Sequence, residues 1–330
     1  MRARNKCQLI WILSLVWLLS AGAWAQISSA STNFAKDLTL ANSGDTEAQL
    51  RVGLAYNQGV GTKCSYSEAM HWFQAAASGG SDEAQAWVGS MYLLGHGVAE
   101  DWNKAYEIES KLAAKNATAS TFLGLMYLTG HGAQQDLTTA ANLFRRAQNA
   151  GDARAMDLLG VLYQRGEGVP SDVTIAEYFY RHAADLGDSW AEMHLGDLYL
   201  KGLLGKRDYA AAFDNFSRSA QQGNFAAQQR LGRMYEKGKG VSKDYGRALQ
   251  FYQLSARSSY ATAELSLADM YQHGRGVPQD LVTAYAWTLR AQQHQDTTAQ
   301  ARLGTLASSL SSDQIEQAKH LSKSLTKLEQ

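Results

Sequence analysis

The chain has 330 residues, of which 45% are hydrophobic and 19% are charged, and it contains only two prolines. This composition excludes a mostly disordered chain and suits a helical protein with a continuous core. Its 31 basic residues balance its 31 acidic residues, so it lacks the basic excess of nucleic-acid-binding proteins, and we expect no nucleic-acid partner.

Residues 1–25 differ in character from the rest and predict a secretory signal peptide. Three basic residues among the first six precede an apolar run over residues 9–19, and the tripeptide Ala-Trp-Ala ends at Ala25. This order is typical of a cleaved leader, and we expect cleavage before Gln26. The alternative is an uncleaved membrane anchor, although the apolar run is short for a span of about 20 residues.

Cleavage would change the charge and the thiol content of the chain. The mature chain would keep 28 basic against 31 acidic residues, a net charge of −3, and Cys64 would be its only cysteine. No intrachain disulfide is then possible, and no cysteine stands at the cleavage site to carry a lipid. We expect a soluble product, secreted across the inner membrane into the periplasm, with no transmembrane span after cleavage.

The segment 26–43 is rich in serine, threonine and asparagine. We interpret it as a flexible lead that turns helical from about Phe34 to Leu40.

A tyrosine recurs every 35 or 36 residues over the next part of the chain, with similar neighbours each time. The recurring tyrosines are Tyr56, Tyr92, Tyr127, Tyr163, Tyr199, Tyr235 and Tyr271. A fixed period of this length indicates a helical solenoid. The fold class predicted for residues 44–306 is therefore an all-α superhelix of about seven repeats.

Each repeat predicts two helices. Counted from the tyrosine, alanine stands at −8, an apolar residue at −4 and, in six of seven repeats, glycine at −3, where a small residue lets a partner helix approach. A glycine at +3 ends this helix. Aspartate, or Ser65 in the first repeat, stands at +9 as the N-cap of a second helix, which carries alanine at +13 and an aromatic residue near +16 or +17. In the second repeat, the aliphatic Ile108 stands at +16 in place of the aromatic residue.

The segment 307–330 predicts a capping helix. Ser312 or Asp313 can cap its start, and apolar residues follow at helical spacing from Ile315 to Leu328. A solenoid needs such a terminal element with one polar face.

The repeat pattern A-x-x-x-L-G-x-x-Y-x-x-G-x-G-V-x-x-D-x-x-x-A resembles that of the Sel-one-like (Sel1-like) repeat family, relatives of the tetratricopeptide repeats. The fourth and seventh repeats match best, and the fifth departs most, with Gly-Leu-Leu-Gly over residues 202–205 in place of G-x-G-V. The resemblance implies paired antiparallel helices that serve as an adaptor for other proteins, and it implies no shared chemistry.

The sequence predicts no catalytic residue, no metal site and no cofactor. His96 and His131 lie in the same turn of successive repeats, but neither has a companion at metal-ligand spacing. Ser324 and Lys327 match the S-x-x-K of penicillin-recognising enzymes, but the chain has no K-T-G, and a terminal helix explains this segment.

Alignment with tetratricopeptide repeats predicts that positions −9, −6, −2, +1 and +2 line a concave groove. In the first three repeats these positions include the apolar residues Leu50, Leu54, Leu93, Leu94, Leu125 and Leu128. In the later repeats they supply a mixed-charge stretch, where the predicted site residues are Arg165, Asp197, Arg233, Glu236 and Asp269. We therefore expect a groove that binds one or more envelope proteins. In the alternative interpretation, the leucines are buried by packing between repeats and the charges are a solvated face.

The leading functional interpretation is a periplasmic, non-enzymatic scaffold for protein–protein contacts. Two other classes stay open: a cell-wall-active hydrolase or β-lactam-binding protein, and a module that binds peptidoglycan or another polysaccharide. Against the last class, which needs aromatic rings to stack on sugars, Trp190 is the only tryptophan at a predicted groove position.

Overall fold

The computed structural model describes residues 34–294 and 296–325, which form 17 helices and no strand. The predicted signal peptide lies outside these residues. The helices are α1 (Phe34–Asn42), α2 (Thr46–Gln58), α3 (Tyr66–Ser78), α4 (Asp82–Leu94), α5 (Trp102–Leu112), α6 (Ala117–Thr129), α7 (Leu137–Asn149), α8 (Ala153–Arg165), α9 (Val173–Asp185), α10 (Ser189–Lys201), α11 (Tyr209–Gln221), α12 (Phe225–Lys237), α13 (Tyr245–Ala256), α14 (Ala261–His273), α15 (Leu281–Gln293), α16 (Ala299–Ala307) and α17 (Ser312–Leu325). None of these helices is long and apolar enough to cross a lipid bilayer.

The helices divide between two compact units. The N-terminal unit extends to Asp188 and the C-terminal unit begins at Ser189. In the N-terminal unit, α1 precedes four helix hairpins, α2–α3, α4–α5, α6–α7 and α8–α9; in the C-terminal unit, the hairpins α10–α11, α12–α13 and α14–α15 precede α16 and α17. One hairpin corresponds to one period of the tyrosines, so the predicted all-α repeat architecture is confirmed.

The predicted N-caps of the second helices are confirmed in all seven hairpins. In each case a side-chain oxygen accepts a hydrogen bond from a backbone N–H in the first turn, which stabilises a helix start by about 1 kcal/mol. The capping residues are Ser65, Asp101, Asp136, Asp172, Asp208, Asp244 and Asp280.

The turn between the two helices of a hairpin needs two glycines. In the second repeat, Gly95 and Gly97 have φ angles of +67° and +68°, a region that L side chains rarely enter. A Cβ on Gly97 would also lie 2.3 Å from the carbonyl oxygen of Tyr66. In the fifth repeat, Gly202 keeps a φ of +71°, but the second glycine comes one residue later, at Gly205, with a φ of +112°. The turn of that repeat therefore differs, as its sequence predicts.

Within a hairpin, the glycine at −3 lies against the side chain at +17. A Cβ on Gly160, for example, would lie 2.5 Å from a ring carbon of Tyr180, so glycine is what lets the two helices come this close. The +17 residues are all buried. They are Phe73, Glu109, Phe144, Tyr180, Phe216, Tyr252 and Thr288. Of the two positions that the sequence left open, +17 is therefore the one that fills the core. In the second repeat this position holds Glu109, and the Ile108 that the sequence suggested stands one residue before it.

Both ends of the described chain are closed by packed helices. Helix α1, the end of the predicted lead, sets Phe34 against Tyr56 with ring centroids 5.4 Å apart, and Asp37 pairs with Arg51 at 2.8 Å. At the other end, α17 buries Ala318 in a cluster with residues of α15 and α16. Helix α1 falls in the segment predicted as a lead and α17 in the segment predicted as a cap; the remaining residues of both segments include some that lie outside the described residues.

Candidate functional site

The leucines predicted for the groove lie in the N-terminal unit, and most are part of its core. Leu54, Leu93, Leu125 and Leu128 keep only 3–6% of their surface exposed. Leu50 and Leu94 are half-buried and pack against the same cluster. Helix α4 contacts α6 of the next hairpin, so the leucines at −2 and +1 of successive repeats share one core. Packing between repeats accounts for these leucines, as the alternative interpretation held, and their role in partner binding stays a prediction.

Arg165, the first of the predicted charged residues, ends helix α8. Its side chain is 47% exposed, and its guanidinium lies 3.9 Å from the carboxylate of Glu167. An exposed pair at this distance contributes little to stability, so Arg165 is available to solvent.

Asp197 lies at the centre of a network in the C-terminal unit. It is 8% exposed and accepts two hydrogen bonds from Arg230 of the next hairpin, at 2.9 and 3.2 Å, and one from Lys201 at 3.2 Å. Burial raises the pKa of Asp197, but the two cations outweigh burial and hold the pKa below its ordinary value. Asp197 is therefore a charged carboxylate with its own partners.

Glu236 and Asp269 are joined through Arg275. Glu236 accepts hydrogen bonds from Lys237 at 2.6 Å, from the Tyr252 hydroxyl at 2.8 Å and from Arg275 at 3.3 Å. Arg275 also pairs with Asp269. These contacts tie α12 to α14 and join two of the predicted site residues, Glu236 and Asp269, within the C-terminal unit.

A cleft of about 610 Å³ opens beside this network. Its lining includes four charged residues that stand at groove positions, Asp197, Lys201, Arg233 and Lys237, and it adds cations from the turns that follow α10 and α12. The full lining is Asp197, Leu200, Lys201, Arg207, Arg230, Arg233, Met234, Lys237 and Lys239. Six of these side chains are basic and one is acidic, so the lining carries a net positive charge.

Several of these cations are not neutralised by the protein. Arg207 and Arg233 are exposed, and in the part of the chain that the structure describes neither has an ion pair or a side-chain hydrogen bond. Lys239 lies 5.9 Å from the centroid of the Tyr209 ring and has no carboxylate partner there either. The acidic neighbours Asp197 and Glu236 are already engaged by other cations, which leaves these three charges free for a ligand.

Sequence reasoning missed Arg207, Arg230 and Lys239 as residues of this site. Arg207 and Lys239 lie in turns, and the groove positions of a tetratricopeptide repeat include only helix residues. The available signal was the run of basic residues in the two turns of the fifth and sixth repeats, at positions 206–207 and 237–243. The sequence around Arg230 does not mark it as a site residue, because Arg230 belongs to the site through its hydrogen bonds to Asp197 in the preceding hairpin.

The other residues weighed for chemistry have structural contacts. His96 stacks on Tyr66 with ring centroids 4.1 Å apart, His131 lies against Trp102 at 4.0 Å, and burial lowers the pKa of both imidazoles. The Ser324 hydroxyl donates to the Leu321 carbonyl; Lys327 lies outside the described residues. Among residues 34–294 and 296–325, no group of three histidine, cysteine or acidic side chains is placed to hold a metal ion.

Glu109 is a feature that the sequence did not indicate. It is fully buried at the core position that an aromatic residue fills in five repeats, and neither carboxyl oxygen has a hydrogen-bond partner in the described structure. Burial and the nearby charge of Glu83 raise its pKa well above the ordinary value of 4.5. The side chain is therefore protonated in the folded protein at pH values where it is ionised in the unfolded chain.

Replacement of Glu109 should stabilise the N-terminal unit, and the gain should grow with pH. The folded state binds a proton that the unfolded state releases above pH 4.5, so stability falls as the pH rises from 4.5 toward the raised pKa. Glu109→Met removes both this cost and an unsatisfied buried polar group, and we expect a gain of about 1–3 kcal/mol even at pH 5. Urea unfolding between pH 5 and pH 8 measures both effects.

Glu109→Gln serves as the matched control, because the amide cannot ionise but is still an unsatisfied polar group. It should remove the pH dependence that Glu109 contributes while giving no gain at pH 5. If both variants follow the pH profile of the parent chain, Glu109 is hydrogen-bonded in solution and the assignment is wrong.

The repeats match a known family over most of their length. The family model described as Sel1 repeat matches residues 46–81, 82–108, 117–152, 153–188, 191–224, 225–260 and 261–291. These seven matches coincide with the seven hairpins. No curated protein matches the chain.

The chain is also similar to solved structures, one of which supports the family assignment. The Sel1 repeat protein from Oxalobacter formigenes is 30% identical, with 85% of this chain and 81% of that chain covered and a TM-score of 0.57. The antigen c5321, described as a protective antigen of uropathogenic Escherichia coli with an SLR fold, is 25% identical over 90% of this chain and 79% of that chain, with a TM-score of 0.40. The immunity protein Pa5087 from Pseudomonas aeruginosa is 22% identical over 64% of this chain and 81% of that chain, with a TM-score of 0.49.

Proposed function

Because this chain belongs to the Sel1 repeat family, whose members generally act as scaffolds for protein interactions, we propose that it is a non-enzymatic scaffold of the cell envelope. We further propose that the cleft of its C-terminal unit binds a segment of a partner protein. The cleft lies where residues at the variable positions of successive hairpins meet, and these positions can differ between repeats without disturbing the shared core.

The observation that carries the proposal is the uneven pairing of charges around the cleft. The acidic residues Asp197 and Glu236 each have two or more partners within the protein, whereas the basic side chains of Arg207 and Arg233 have none among the described residues. Exposed charges without partners add nothing to folding. In a cleft of about 610 Å³, they are suited to hold a ligand in place and to guide its approach.

The envelope part of the proposal is supported by the leader-like residues 1–25. A basic start, an apolar run and a small-residue cleavage site together are typical of export, and a mature chain with one cysteine suits an oxidising compartment because it cannot form a wrong intrachain disulfide.

The two other classes lack an observation that favours them. Trp190, the tryptophan considered for sugar stacking, is only 1% exposed and offers no open aromatic face. For hydrolysis or β-lactam binding, a nucleophile needs a base within hydrogen-bond reach, and Ser324 instead donates to a main-chain carbonyl.

Affinity capture tests the proposed scaffold. The full gene, with a C-terminal tag, is expressed in a Gram-negative host, and the intact mass of the purified chain is measured first. We expect a loss of residues 1–25 and recovery from the periplasmic fraction. The tagged chain should then retain a defined envelope protein that cross-links to the C-terminal unit, identified by mass spectrometry of cross-linked peptides.

A variant with alanine at both Arg207 and Arg233 provides the comparison, because both side chains are exposed and the substitutions leave the core intact. A partner that binds the cleft should be recovered in smaller amount with this variant. Recovery of an uncleaved chain from the cytoplasm, or cross-links spread evenly over both units, would contradict the proposal.

A further inference from the structure

We infer that the ligand of the cleft is an acidic polypeptide segment, with closely spaced carboxylates that bind Arg207 and Arg233 and an apolar side chain that packs on Leu200. This inference rests on the proposed function and specifies the chemistry of the partner. It concerns only the C-terminal unit, in which all three residues lie.

The balance of charge sets the sign of the ligand. The lining holds six cations and one anion, and the anion, Asp197, is bound by Arg230 and Lys201. With Lys237 engaged by Glu236 at 2.6 Å, the cations left without a carboxylate partner are Arg207, Arg233 and Lys239. A ligand with two or three negative charges would pair with these cations and leave the existing network unbroken.

The geometry of the free cations favours carboxylates. Two of the three are arginines, whose planar guanidinium presents parallel N–H groups that fit a carboxylate in bidentate fashion. Arg233 comes from helix α12, and Arg207 comes from the turn after α10. Because the two guanidiniums are held by different elements, one extended segment can be bound at two points.

The apolar part of the lining favours a polypeptide over a phosphate polymer or an acidic sugar chain. Leu200 is half-buried and keeps apolar surface in the cleft beside the cations, whereas Met234 is buried and only completes the wall. A peptide can place a leucine or methionine between acidic side chains and so use both kinds of surface. The volume of about 610 Å³ lies within the range of about 300–1,000 Å³ of ligand pockets, which suits a few side chains.

Binding of defined peptides to the purified chain tests the inference. The probe is a fluorescein-labelled Glu-Glu-Leu-Glu-Glu peptide, and the amide analogue Gln-Gln-Leu-Gln-Gln is its uncharged counterpart. By fluorescence anisotropy at low salt, we expect the acidic peptide to bind about tenfold more tightly or better, which is about 1.4 kcal/mol. Its affinity should fall as salt is added.

Charge-reversal variants show whether the acidic peptide binds in the cleft or is only attracted by the net charge of the chain. Arg207→Glu with Arg233→Glu should weaken binding of the acidic peptide by about a hundredfold, since two contacts become repulsive. The matched control is Arg257→Glu with Lys323→Glu, which changes the net charge equally at exposed positions outside the lining. The control should stay within about twofold of the parent chain. Circular dichroism should show that both variants are folded.

Three results would overturn the inference: equal binding of the two peptides, equal loss in the two double variants, or displacement of the acidic peptide by inorganic tripolyphosphate or an oligogalacturonate at lower concentration than by unlabelled peptide. None of these results bears on the capture experiment. A partner that is still fully captured by Arg207→Glu/Arg233→Glu would refute the acidic segment and the cleft as its binding site but leave the scaffold in place, whereas absence of any captured partner would refute the scaffold.

Discussion

Leu93→Asp and Leu128→Asp should each unfold the N-terminal unit, and partner binding should be lost only as a consequence. Both leucines are at least 94% buried in the main core cluster. Truncation of a buried leucine lowers the stability of the fold by about 2–5 kcal/mol, and the buried carboxylate of the new aspartate adds a desolvation penalty. Since a typical domain has a stability of about 5–15 kcal/mol, either change removes a large part of it. Thermal melts followed by circular dichroism measure the effect.

Leu40→Asp is the matched control, because Leu40 lies in the same unit but is 37% exposed. Its melt should stay close to that of the parent chain. A folded Leu93→Asp chain that has lost only its partner would contradict the packing account and restore an apolar binding surface in the first three repeats.

The fold could be predicted from the sequence because every local signal agrees with the repeat. The tyrosine period fixes the hairpins, the residue at +9 caps the second helix, and glycine at +3 ends the first, so each boundary has a physical cause within a few residues. The structure confirms these features from Ser65 to Asp280. Even the departure in the fifth repeat was visible, because the displaced Gly205 alters the turn.

The site could be predicted only in part, because burial depends on neighbours that are distant in sequence. The leucines at −2 and +1 were assigned to a groove by analogy with tetratricopeptide repeats, and that analogy gives no sign that they belong to the core cluster. Asp197 and Arg233 were named from their helix positions, and both line the cleft. Arg207 and Lys239 come from turns 32 residues apart, and no periodic pattern predicts that they line one cleft.

Gly196→Val should destabilise the C-terminal unit by about 3 kcal/mol or more. A Cβ at this position would lie 2.5, 2.6 and 3.0 Å from three ring carbons of Phe216. Phe216 is completely buried, so its ring cannot move without pushing other core side chains, and the two helices of the hairpin must separate. Urea unfolding followed by circular dichroism gives the loss. Gly304→Val is the control, since a Cβ on Gly304 meets no atom within 4 Å, and we expect a change within about 0.5 kcal/mol.

A double-mutant cycle shows whether the ring is the cause. Phe216→Ala alone leaves a cavity and should cost about 3–5 kcal/mol. Combined with Gly196→Val, it makes room for the new side chain, so the double variant should lose less stability than the sum of the two single losses. The chain contains a natural pair of this kind: in the seventh repeat Ala268 stands where the other repeats have glycine, and Thr288 replaces the aromatic residue. Additive losses would mean that the valine clashes elsewhere, and that the close approach of the helices does not depend on the contact between glycine and ring.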